Sequence, residues 1–159
     1  MKKTLLYTTV AVLSTAATFT AVNSQQNEMS FFITSEGSGD GANLGGLSGA
    51  DAHCAALAGA AGSSGKTWRA YLSTHATSTS PAINARERIG HGPWYNSNGV
   101  EVASNVNVLH GPSNNLNKQA SLTEEGGVVN GRGDTPNQHD ILTGSTIDGR
   151  TVDDGSNHT

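Results

Sequence analysis

Cysteine, aromatic residues and charge are all scarce in this chain. Among 159 residues there is one cysteine, the aromatic share is 5% and the charged share 14%, with a formal net charge of −4. So little charge excludes a basic nucleic-acid binder, and the composition fits neither a coiled coil nor a collagen. The length suits one domain. What is abundant is glycine, with 20 positions, and a polar remainder of mostly Ser, Thr and Asn. Such a chain builds loops more readily than long regular elements.

The longest apolar stretch lies at the N-terminus. Met1-Lys2-Lys3 is a short basic segment, Leu5 to Phe19 is uncharged and largely apolar, and Val22-Asn23-Ser24 offers a small-residue cleavage site. That order of parts predicts a secretory signal peptide over residues 1–24. The apolar run is too short and too rich in Thr and Ser for a membrane anchor of ~20 apolar residues. No cysteine lies near the cleavage region, so lipid attachment there is not expected, nor is stable membrane insertion after cleavage. Removing residues 1–24 takes away Lys2 and Lys3 and no acid, leaving seven basic and thirteen acidic residues. An acidic exported domain over residues 25–159 disfavours nucleic acid and polyanionic polysaccharides as partners. It points to a secreted, periplasmic or cell-surface location. In that compartment the single Cys54 is free and buried, pairs between chains, or lacks its partner in this chain.

Hydrophobic periodicity places the elements. Met29 to Thr34 predicts a strand, followed by a Gly-rich loop over Glu36 to Gly41. Ser48 and Asp51 have the spacing of a reciprocal capping box, and Ala52 to Ala61 continues as an Ala-rich helix. Ala50, Cys54, Leu57 and Ala61 fall on one face of it, and Gly62 supplies a left-handed stop. Thr67 to Leu72 alternates with period two, which predicts a half-buried strand with Trp68 facing inward. Asn84 to Ile89 fits one helical turn. Pro93 to Val102 predicts a hairpin turning at Asn98-Gly99. Shorter strands are expected at Val106–Leu109, Ala120–Leu122, Val128–Val129 and Ile141–Thr143. Nothing after Ile147 has the character of a closing strand, so the domain is expected to be shortened at its C-terminus. The fold class is α+β, an early helix packed on short antiparallel strands with long loops.

The block Gly49-Ala50-Asp51-Ala52-His53-Cys54, followed by Lys66 to Ser73, resembles the endostatin module of vertebrate collagens, a C-type-lectin-like fold. It is more similar still to a group of secreted bacterial lectin-like proteins. Those carry runs like Arg86-Glu87-Arg88-Ile89-Gly90-His91-Gly92-Pro93-Trp94-Tyr95 and Asn130-Gly131-Arg132-Gly133-Asp134-Thr135-Pro136-Asn137-Gln138-His139-Asp140. The resemblance covers about residues 29–150. It implies a closing strand with a second cysteine that would pair with Cys54. This sequence has neither. It also lacks counterparts of endostatin's zinc-binding histidines and heparin-binding arginines. The implied role is a non-catalytic binding module for carbohydrate or an extracellular surface protein.

Several residues are candidate ligand contacts. Arg132-Gly133-Asp134 is an adhesion tripeptide, in which a guanidinium and a carboxylate flank a glycine bend. An adhesin acting through it is one alternative, and a loop that pairs Arg132 with Asp134 internally is the plainer one. Thr135-Pro136-Asn137 occupies the place of a lectin's Pro-centred calcium loop. Thr135 is a poor calcium ligand there, although Asp134, Asn137 and Asp140 give oxygens close together. Loop capping by these side chains is the preferred expectation, and no cofactor is assigned. Trp94 and Tyr95 are candidates for a sugar-stacking platform, with core packing an equal expectation for Trp94. His139 beside Asp140 is half of a hydrolytic constellation, but no serine stands in a nucleophile-elbow context and Cys54 is expected to be buried. Glu124-Glu125 and Asp153-Asp154 read as solvated surface. No histidine pair has helical i, i+4 spacing, so zinc is not signalled.

Overall fold

The computed structural model describes residues 28–152. The signal peptide expected at residues 1–24, together with Asp153, Asp154 and His158, lies outside the described residues. The regular elements that lie wholly within the described residues are, in order, helix α1 (Gly46–Ala60), helical turn α2 (Ala85–Arg88), strands β1 (Trp94–Tyr95) and β2 (Glu101–Ala103), and helical turn α3 (Val106–Leu109). The class is α+β.

Helix α1 starts two residues before Ser48, from Gly45 in the left-handed region, and no side chain caps it. The expected capping box is absent because Asp51 is engaged elsewhere. Its Oδ1 accepts from the Ala70 N–H at 2.8 Å, and its Oδ2 meets Arg69 at 2.8 Å and Arg88 at 2.7 Å. The C-terminal end follows the expectation. Gly62 takes φ 84°, and the Ser63 N–H returns to the Ala58 carbonyl at 2.8 Å, closing the last turn. Ala50 and Ala58 are the buried positions of α1, with Cys54 and Leu57 only half-buried.

Strands β1 and β2 form the expected hairpin. Trp94 pairs with Ala103 and Tyr95 with Glu101, with a register shift between Trp94 and Tyr95. The buried Asn96 organises the turn: its Oδ1 accepts from Asn98 N and Val100 N, each at 3.0 Å, and its Nδ2 donates to the Ala120 carbonyl at 2.9 Å. Trp94, Val102 and Ala103 form the core, with Phe31, Ile89, Val106, Val108 and Leu109 packed against it.

Six expected strands are not ladders. Residues 29–34 make one isolated parallel bridge, Ile33 to Thr123, and otherwise bond singly: Ser30 N and Phe31 N both reach the Tyr95 carbonyl. Residues 67–72 have no strand partner among the described residues, and Leu72 N turns back to the Ala70 carbonyl at 2.9 Å. Side chains satisfy them instead, since Arg88 donates to the Ala70 carbonyl and Asp51 accepts from its N–H. Val106–Leu109 is helical although it alternates. The Asn105 side chain accepts from Asn107 N at 3.0 Å and Val108 N at 3.1 Å, which fixes a helical start. Replacing Asn105 with Ala is expected to cost about 1 kcal/mol, read as a lower urea midpoint at unchanged slope. Ala120–Leu122 and Val128–Val129 reduce to a bridge between Leu122 and Val128. Ile141–Thr143 contributes the Thr143 carbonyl to Ser73 N at 2.9 Å.

The Ala-rich helix does lie with the Trp68 segment. Asp51 ties them, and the Trp68 ring nitrogen donates to the Ser63 carbonyl just past the helix end. Phe32 meets Trp68 edge to face with centroids 4.9 Å apart. No helix among the described residues is long and apolar enough to cross a membrane.

Candidate functional site

A cavity of about 1020 Å³ opens beside these elements. Its walls include Phe32, Cys54, Trp68 and Leu72, and also Asp140 and Leu142 from the loop that carries most of the expected ligand contacts. The lining mixes apolar and aromatic side chains with polar and charged ones, Lys66, Arg69, His110 and Asp140 among them. The loop beyond it is well exposed: Ile141 is 54% and Leu142 62% accessible.

Within that loop the side chains are largely occupied with one another. Asp134 does not pair with Arg132. Its Oδ2 accepts from the Gly131 N–H at 2.7 Å and is paired with Lys118, and these two donors hold its carboxyl below the usual carboxylate range. Arg132 is exposed, with Gly133 between them at φ 92°. The Thr135-Pro136 peptide is cis. Asn137 Oδ1 accepts from His139 N at 3.3 Å, and His139 Nδ1 lies 2.7 Å from Asp140 Oδ1. Asp134 and Asn137 thus accept from backbone N–H groups of the loop, as loop capping requires, whereas Asp140 bonds the His139 ring. Among the described residues no three His, Cys, Asp or Glu side chains are grouped to hold a metal.

The hydrolytic pairing has two members and no third. His139 and Asp140 touch, but no hydroxyl or thiol among the described residues hydrogen-bonds to His139. Cys54 is unpaired and half-buried. Burial pushes its thiol up, and the nearby Asp51 carboxylate adds to the effect, the opposite of an activated nucleophile.

Trp94 takes the core-packing role, since the residue is 8% exposed and belongs to the core cluster. Tyr95 is half-buried, its main chain bonded to Ser30 in both directions. The aromatic lining of the cavity comes from Phe31, Phe32, Trp68 and Tyr71 together with Trp94, while Tyr95 does not line it.

No family model, no curated protein and no solved structure matches the chain.

Two arrangements were not expected from the sequence. Glu124 is 2% exposed, not solvated, and accepts from the Ser35 N–H at 3.0 Å and the Ser35 hydroxyl. Tyr71 and His110 bond at 2.8 Å, and Gly149 lies against both. Neither had a local signal, since the partners are 89 and 39 residues apart.

Proposed function

We propose that this chain is a secreted, non-catalytic, lectin-like binding module of endostatin-like fold, taking carbohydrate or an extracellular protein. The observation that carries the reading is a coincidence of place. The loop singled out for ligand contact supplies Asp140 and Leu142 to the wall of a roomy cavity also lined by Phe32 and Trp68. Aromatic faces beside hydrogen-bonding side chains suit the alternating apolar and hydroxyl surfaces of a sugar ring. The raised Cys54 thiol and the isolated His139–Asp140 pair argue for binding without turnover. Asp134 is already engaged by Lys118 and Gly131, which weighs against adhesion through Arg132-Gly133-Asp134.

The test is a glycan array and a panel of extracellular-matrix proteins, probed with folded protein with and without a chelator. Binding should survive chelation and fall about tenfold in Leu142→Asp, a change on the exposed cavity wall worth roughly the transfer of one apolar side chain. A folded sample that binds nothing in either condition overturns the reading.

A further inference from the structure

Residues 145–151 form a strap closed on itself by a bridge from Ser145 to Thr151 and by Thr146 N to the Arg150 carbonyl at 2.8 Å. It is pinned to the body at several points. Arg86 N donates to the Gly149 carbonyl at 3.1 Å, Arg86 Nη1 to the Asp148 carbonyl at 2.7 Å, and Thr151 N to Asn84 Oδ1 at 3.0 Å. Beneath the strap, His110 Nδ1 is 2.7 Å from the Val106 carbonyl and Nε2 is 2.8 Å from the Tyr71 hydroxyl. A carbonyl only accepts, so Nδ1 carries the proton and neutral Nε2 accepts from Tyr71. Gly149 packs directly on that bond: a Cβ there would overlap His110 Nε2 and come within 2.8 Å of the Tyr71 hydroxyl.

We infer that His110 is a proton-sensitive latch, and that its protonation loosens the 145–151 strap and widens the cavity that Thr146 and Ile147 help to line. A second proton belongs on Nε2, where it meets the Tyr71 hydroxyl donor head on. Tyr71 must then turn to accept, and its own proton loses its partner under the strap. Arg86 and Asp148 both act electrostatically on Tyr71, and Asp148 lies 4.0 Å from Arg86 and 3.3 Å from Arg150. Glu87 is turned to Arg150 at 3.5 Å, and at the strap's far end His75 Nδ1 approaches Thr151 Oγ1 at 3.3 Å. Imidazole is the side chain whose charge ordinarily changes between pH 5 and 8. The inference holds whether or not the cavity takes a sugar.

The experiment is amide hydrogen exchange of residues 145–151 in the full chain, corrected for the intrinsic pH dependence of exchange. From about pH 7.5 to about pH 5, exchange should rise about tenfold in the natural protein and stay level in His110→Gln, whose amide oxygen accepts from Tyr71 but takes no proton. His75→Gln should retain the rise. A level natural protein, an equal rise in His110→Gln, or a rise abolished by His75→Gln overturns the latch. Should His110→Gln fail to fold, Tyr71→Phe decides: without the hydroxyl conflict the rise is lost, and a full rise there overturns the inference.

Discussion

Gly149→Ala should unfold a large share of the molecules under conditions where the natural protein is intact. Gly149 is buried with φ 76°, a conformation that costs an L-residue about 1–2 kcal/mol. The added methyl would overlap His110 Nε2 and lie 2.8 Å from the Tyr71 hydroxyl and 2.9 Å from Arg86 Cβ. Three neighbours from three segments would have to move, and overpacking of that kind costs about 1–3 kcal/mol. The combined loss of about 2–5 kcal/mol is a large fraction of the ~5–15 kcal/mol that holds a typical domain together. Gly133→Ala is the matched control, because its φ is 92° but nothing lies within 4 Å of a Cβ there. It should lose only the backbone component, about 1–2 kcal/mol. Urea titrations of the two variants side by side measure the difference, and equal losses would show that the contacts at Gly149 carry no weight.

Asp51→Ala should cost about 3–5 kcal/mol, because it strips the carboxylate from an ion cluster that is largely out of water. Side-chain exposures are 12% for Asp51 and 13% for Arg88, so Arg88, left with the Ala70 carbonyl as its acceptor, has little solvent to turn to, whereas Arg69 at 50% can turn to water. The Ala70 N–H loses its acceptor in the same step. Asp51→Asn keeps an acceptor for Ala70 but sets an amide NH2 in place of the Oδ2 that accepts from Arg69 and Arg88, so it should cost about 1.5–3 kcal/mol. The pH dependence has a fixed sign. Burial raises the Asp51 carboxyl, but the hydrogen bonds from Arg69, Ala70 and Arg88 together outweigh it and hold the group below its ordinary 3.8. A carboxyl lowered on folding contributes stability that is present above its unfolded pKa and fades as pH falls through the folded value. The gap between natural protein and Asp51→Asn should therefore be constant from neutral pH down to about 5, and close below about 4. Thermal unfolding across that range checks it. A gap that persists at low pH would assign the loss to packing instead of charge.

The parts of this fold that were legible in the sequence are those that depend on near neighbours. Asn98-Gly99 specifies its own turn, and Gly62 its own helix stop. Asn84 to Ile89 coils as the spacing suggested. The departures have two causes, a local cap that outweighs the period and partners that arrive from far along the chain. Val106–Leu109 alternates like a strand, but Asn105 at the preceding position caps a helix, and a side-chain bond two residues long overrode the period. Ser48 and Asp51 have the spacing of a cap, but two arginines from later in the chain claim the carboxylate. Glu124 looks like half of a solvated acidic pair until Ser35 folds over it. The candidate loop at 131–142 was legible as a loop, whereas its place on the cavity depended on residues 32, 54 and 68 arriving from elsewhere.

The seams that hold the described residues together join distant parts of the chain: Ser35 to Glu124 across 89 residues, Asn84 to Thr151 across 67, Ser30 to Tyr95 across 65. Each closes a long loop before any contact repays the entropy lost. A polypeptide emerging from its N-terminus therefore gains little by settling early. The first half must wait for the second, and maturation is expected to be a late and concerted event, with a long interval in which the chain remains slack enough to be threaded or handed on.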